Sequence, residues 1–197
     1  MKNKALLLIM CGLLTVAFAS CTEEAVTPPT EPEVTVTEPT TEDPSVFDKK
    51  AEDIAKSYMK AVVEDGSALS AAKLMFPQAI VMKSFATEDI ARDKLFDGMA
   101  MNGGVKIGDF KVDKCEQLSE SQLRDAEAYY EKYANIISEL PKIDYTVVNG
   151  REISVTAELK DSGGSQDYSA TYVVVDMGDE GYKLITTTAS KLNGLAD

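Results

Sequence analysis

Cysteine and carboxylate are the side chains through which this chain can do chemistry, because it contains no histidine. Without His there is no Ser-His-Asp or Cys-His pair to activate a nucleophile, and most zinc sites are excluded. The Gly-x-Ser-x-Gly nucleophile elbow does not occur. The 33 carboxylates never adopt the Asp-x-Asp-x-Asp-Gly spacing of a calcium loop. Asp161-Ser162-Gly163-Gly164 is turn chemistry, since no strand-to-helix transition follows it to cradle a phosphate. Acidic residues outnumber the 20 basic ones and leave a formal charge of −13. That balance argues against a nucleic-acid binder, which holds phosphates with clustered Lys and Arg. The residues therefore predict no catalytic, cofactor-binding or metal-ligating set, and no cofactor.

The N-terminus carries an address. Lys2 and Lys4 precede an apolar run from Ala5 to Phe18, and small residues Ala19 and Ser20 lead into Cys21. This is the layout of an export signal, too short for a membrane-spanning helix. Phe18-Ala19-Ser20-Cys21 resembles the lipobox of bacterial lipoproteins, with Phe18 in place of the usual Leu. The resemblance implies that residues 1–20 are removed and that Cys21 becomes the lipidated first residue. The protein would then face the periplasm or the cell exterior from a membrane. Cys11 would leave with the signal, so Cys115 would remain as one thiol with no disulfide partner and no His, predicted to be buried and structural.

Residues 21–45 read as a tether. From Thr22 to Ser45 the chain holds seven Thr, five of the seven prolines, seven carboxylates and no Lys or Arg. Such a segment stays extended, and at ~3.1 Å per residue it reaches on the order of 70 Å. A single domain follows over residues 46–197.

The domain opens with helical spacing. Phe47, Ala51, Ile54, Ala55, Tyr58, Met59 and Val62 recur every three or four residues up to Gly66. Short helices are predicted over Ala68–Met75 and from Glu88 to about Met101, while Gln78–Phe85 fits helix or strand equally. Val105–Cys115 reads as a strand with a bulge near Gly108-Asp109. A long helix from about Glu120 to Glu139 has a capping box at Ser119 and Gln122 and stops at Pro141. Its stripe places Tyr130 and Tyr133 in the core and leaves Tyr129 exposed for a partner surface. A β-meander completes the chain. Ile143–Val148 and Ile153–Leu159 flank Asn149-Gly150, a strong hairpin signal. Ile153, Val155, Ala157 and Leu159 alternate with polar residues, so one face is buried and one solvated. Asp161–Gln166 turns the chain into a strand over Tyr168–Met177. Gly178-Asp179-Glu180-Gly181 then leads to a last strand over Tyr182–Ala189.

The predicted class is α+β, with N-terminal helices packed on a curved antiparallel meander and an extra long helix between the first two strands. This order resembles the cystatin-like folds and, within them, the nuclear transport factor 2-like group. Tyr172-Val173-Val174-Val175 and Gly181-Tyr182-Lys183-Leu184-Ile185 are similar to the last two strands of that group. The resemblance implies a sheet wrapped as a cone around the first helix. Enzymes resembling ketosteroid isomerase place a carboxylate base and an acid donor inside such a cone. Asp109, Asp113, Asp144 and Asp176 are the matching carboxylates and Tyr58, Tyr145 and Tyr172 the donors, but no pair stands out by spacing. The expected function is a membrane-anchored, non-catalytic binding module for a small apolar ligand, an envelope component or a partner protein. An isomerase or dehydratase using a buried Asp, and a homodimeric assembly module, are the alternatives.

Overall fold

The computed structural model describes residues 44–99, 101, 103–137 and 145–196. The residues read as an export signal, Cys21, most of the segment read as a tether and Asp144 lie outside them.

Helix α1 spans Pro44–Met59, starting inside the segment read as tether, with proline at its first position, where no backbone N–H is needed. The spacing of Phe47, Ala51, Ala55, Tyr58 and Met59 puts all five on one face, and all are buried. Three of them are small or unbranched enough to let a sheet approach closely. The helix continues as a wider π-helical turn over Lys60–Glu64. Helices α2 (Ala68–Met75), α3 (Gln78–Ser84) and α4 (Glu88–Phe96) follow. Ser67 and Thr87 cap α2 and α4, each accepting from a backbone N–H three residues on. The open stretch at 78–85 is thus helical. Helix α4 ends earlier than its pattern suggests, because Asp97 turns left-handed at φ 50°.

Strands β1 (Lys106–Gln117), β2 (Asn149–Asp161), β3 (Gly164–Asp176) and β4 (Tyr182–Ile185) form one antiparallel sheet in the order β1-β2-β3-β4. Helix α5 (Glu120–Ile136) comes between β1 and β2 in the chain, with the Ser119–Gln122 capping box in place. The register of β1 against β2 shifts between Ile107 and Phe110, at the glycine-aspartate pair expected to bulge. Helix α1 touches all four strands and covers one side of the sheet. Ile153, Val155 and Ala157 of β2 and Tyr172 and Val174 of β3 meet it there as core.

Several expectations are corrected. Asn149-Gly150 is not a hairpin turn: both residues open β2 and pair with Asp176 and Val175. Residues 145–148 run straight into that strand, and the Val148 N–H already donates to the Asp176 carbonyl at 2.9 Å. Gly150 answers a close approach instead, since a Cβ there would stand 2.6 Å from Leu118 Cδ1. Among the described residues the sheet has four strands where the sequence reading expects five, because 145–148 form no strand of their own. The last strand stops at Ile185, four residues short of the alternation that runs to Ala189, and the chain turns back into a 3₁₀ turn over Ala189–Lys191. Tyr129 is buried rather than exposed, and Tyr133 is only partly covered. Phe76, at the end of α2, reaches across to α5 with its ring 6.3 Å from Tyr129, 6.5 Å from Tyr130 and 4.8 Å from Tyr133, so the helix is gripped on more than one face.

Candidate functional site

The sheet has a second side, and strand alternation lines part of it with hydroxyls, beside the buried Val173 and Val175. Register places Ser154 of β2 opposite Thr171 of β3, and Thr156 opposite Ser169. The Ser154 and Thr171 oxygens lie 3.0 Å apart, and the Thr156 hydroxyl donates to Asp113 Oδ1 on β1 at 3.3 Å. After β4 the chain crosses this face. Thr187 N–H bonds back to the Ile185 carbonyl at 2.9 Å, and the carboxylate of Glu152, also on this side of β2, accepts from Ala189 N–H at 2.7 Å. Leu192, fully buried, pins the far end. Thr186, Thr187, Thr188 and Lys191 thereby become the wall of a groove of about 520 Å³, floored by Ser154, Thr156, Ser169 and Thr171 and bounded by Asp113. A neighbouring depression of about 440 Å³ shares Thr156 and Ser169 and extends the trough towards Asp109, Lys111, Glu158 and Asp167.

Seven hydroxyls, one carboxylate and one ammonium thus line the first groove. Each hydroxyl donates once and accepts twice, so the surface is matched to a ligand that hydrogen-bonds along its length. The hydroxyl contacts there are the Ser154–Thr171 pair, the Thr156–Asp113 bond and a contact of Thr188 with the Ser190 hydroxyl at 3.1 Å.

Among the described residues, no hydrogen bond joins the candidate carboxylates Asp109, Asp113 and Asp176 to the candidate phenols Tyr58, Tyr145 and Tyr172. Asp109 and Asp113 are exposed on β1. Asp176 holds the turn after β3, accepting from Gly178 N–H at 2.9 Å. Tyr58 and Tyr172 do meet, edge to face at 5.6 Å beneath the sheet, and the Tyr168 and Tyr172 hydroxyls are 3.2 Å apart. Burial, then Tyr168, pushes Tyr58 up to about 12. Tyr172 is raised by burial and by the bond to Tyr168, so these phenols stay neutral. Tyr145 is buried elsewhere, its hydroxyl raised by burial and by Glu180.

Cys115 is partly covered and lies at the heart of a polar cluster. Its thiol donates to Asp48 Oδ1 at 3.5 Å, and the same oxygen takes the Arg151 Nε–H at 2.7 Å. Burial, then the Asp48 charge and the bond to it, raise the thiol to about 11 against the opposing pull of Arg151. A thiol held that high is a poor nucleophile. Arg151 itself is 4% exposed, donates to Asn149 Oδ1 and the Gly150 carbonyl, and stacks on Phe47 at 4.8 Å.

Sequence reasoning read the outer face only as solvated. The signal lies in the Ser/Thr alternation of β2 and in Thr186-Thr187-Thr188, whose alternation continues that of the strand before it. Among the described residues no group of His, Cys, Asp and Glu is placed to hold a metal ion, and no helix is long and apolar enough to cross a membrane. No family model, curated protein or solved structure matches the chain.

Proposed function

We propose that this chain is a lipoprotein held to a membrane through Cys21 and facing away from the cytoplasm, whose domain works as a non-catalytic binding module. Its ligand is a polar component of the cell envelope, engaged across the outer face of the sheet. The observation that carries this reading is the hydroxyl-lined groove of about 520 Å³, walled by a segment that Glu152 and Leu192 hold in place. A small apolar ligand inside the sheet is disfavoured, because Phe47, Ala51, Ala55, Val155 and Val174 close that space as core. The contact of α1 with all four strands supports a cystatin-like cone as the finer description of the fold.

The reading is tested by sedimenting the purified full chain with the insoluble cell-wall fraction of its host. Saturable co-sedimentation is expected, and Ser154→Arg with Thr171→Arg, both on partly exposed positions, is expected to abolish it with an unchanged melting temperature. Absence of binding, or equal binding by the variant, refutes it. Cys21→Ala is expected to release the protein from the membrane fraction, and continued retention would rule out the lipid anchor.

A further inference from the structure

A smaller concavity lies at the end of α2, beside α3 and β4, and shares no residue with the outer groove. It encloses about 290 Å³ between Phe76, Val81 and Met82, with Lys73, Lys183 and Gln78 completing its lining. Phe76 and Val81 are buried, whereas Met82 is 65% exposed, so an apolar wall runs from the core out to solvent.

The two amines are what distinguish this pocket on a chain of net charge −13. Neither Lys73 nor Lys183 forms an ion pair among the described residues. Glu180, the carboxylate that acts on Lys183, already accepts from Gln78 N–H at 3.0 Å. Burial draws the Lys183 amine below its ordinary value, with Glu180 opposing, so this cation is partly stripped of water without a bonded counter-ion. A half-desolvated ammonium next to an apolar wall is best satisfied by an anion that brings its own apolar body.

From charge complementarity and wall chemistry we propose that this pocket binds a medium-chain anionic amphiphile. Its carboxylate meets Lys73 and Lys183, and its alkyl chain lies on Phe76, Val81 and Met82. At the ~30 Å³ that a water-sized group takes up in a liquid, the volume admits roughly ten heavy atoms.

The test is calorimetric titration of the full chain with three probes below their micelle concentrations: decanoate, decyltrimethylammonium and acetate. Decanoate is expected to bind saturably at one site. The cationic decyl probe and acetate, each lacking one half of the match, are expected to bind at least about tenfold more weakly. Lys73→Gln and Lys183→Gln together are expected to weaken decanoate by about tenfold or more with the circular dichroism spectrum unchanged. Equal affinity for the anionic and cationic decyl probes, no saturable heat with decanoate, or undiminished decanoate binding by the folded double variant each overturns the proposal. The head-group comparison uses unmodified protein and is decisive whatever the substitutions do to folding.

Discussion

Replacing Asp48 with Ala takes away the carboxylate that pairs, among the described residues, with the buried Arg151 guanidinium. Arg151 keeps 5% of its side chain accessible, and its Nε–H bond to Asp48 is 2.7 Å long. Stripping one partner from a fully buried pair costs ~3–5 kcal/mol. Here the Asp48 side chain is 45% exposed, so water can take the lost position, and the guanidinium retains Asn149 and the Gly150 carbonyl. The expected loss is therefore ~2 kcal/mol, the size of one charge-assisted hydrogen bond. Arg151→Met keeps an apolar body against Phe47 and is expected to cost a similar amount. The double variant is expected to cost about 1–2 kcal/mol less than the two singles added, because the second change removes a group already stranded by the first. Urea unfolding followed by far-UV circular dichroism supplies the four free energies, the chain having no Trp to report by fluorescence. Single-variant costs that add to within ~0.5 kcal/mol would refute the coupling and with it the idea that this pair docks α1 on β2.

Other perturbations have equally definite outcomes. Burial lifts the Glu88 carboxyl, but bonds from the Leu69 and Ala68 N–H groups and the Ser67 hydroxyl, with the Arg92 charge, outweigh it and leave the group below its usual range. A depressed folded-state value means stability present above the unfolded value near ~4.3 and lost as pH falls through the folded one. Glu88→Gln should thus cost about 1 kcal/mol at neutral pH, as for a lost N-cap, and flatten the acid limb of a stability-versus-pH curve; an unchanged limb would contradict this. The Tyr130 hydroxyl is buried with no hydrogen-bond partner among the described residues. Tyr130→Phe is accordingly expected to leave stability unchanged or raise it by up to ~1 kcal/mol, and a loss above that in urea titration would reveal a partner. Cys115, at about 11, should carry roughly one thiolate per thousand molecules at pH 8 and react slowly with maleimide. Asp48→Ala, which removes both raising contributions of that carboxylate, should accelerate the reaction, and an unaltered rate would count against the contact.

The helices were legible because their information is local. The three- and four-residue spacing in α1, the capping box before α5 and the Gly108-Asp109 bulge each depend on residues within one turn or one strand. What escaped depends on residues far apart in the chain. Asn149-Gly150 carries the composition of a turn, yet Gly150 is set by the Leu118 side chain, 32 positions earlier. The helical stripe alone leaves Tyr129 outside the core, and Phe76 from another element covers it. The groove was invisible for the same reason: the hydroxyls of β2 alternate as on any solvated face. Long-range contacts, the bond from Ala189 N–H to Glu152 across 37 residues and the burial of Leu192, fold Thr186–Thr188 over them.

The Asp48–Arg151 pair also sits where mechanical load would enter the domain. Helix α1 begins at Pro44, and Phe47 and Asp48 in its opening turns are the first residues to grip the sheet. Arg151 belongs to β2, an interior strand flanked by β1 and β3, and not to an edge that can be peeled away. Tension arriving along the N-terminal segment is therefore passed within about four residues to the middle of the sheet. If the chain is held at that end, as proposed, load reaching Pro44 enters β2 at Arg151, three residues before Ser154 of the groove floor.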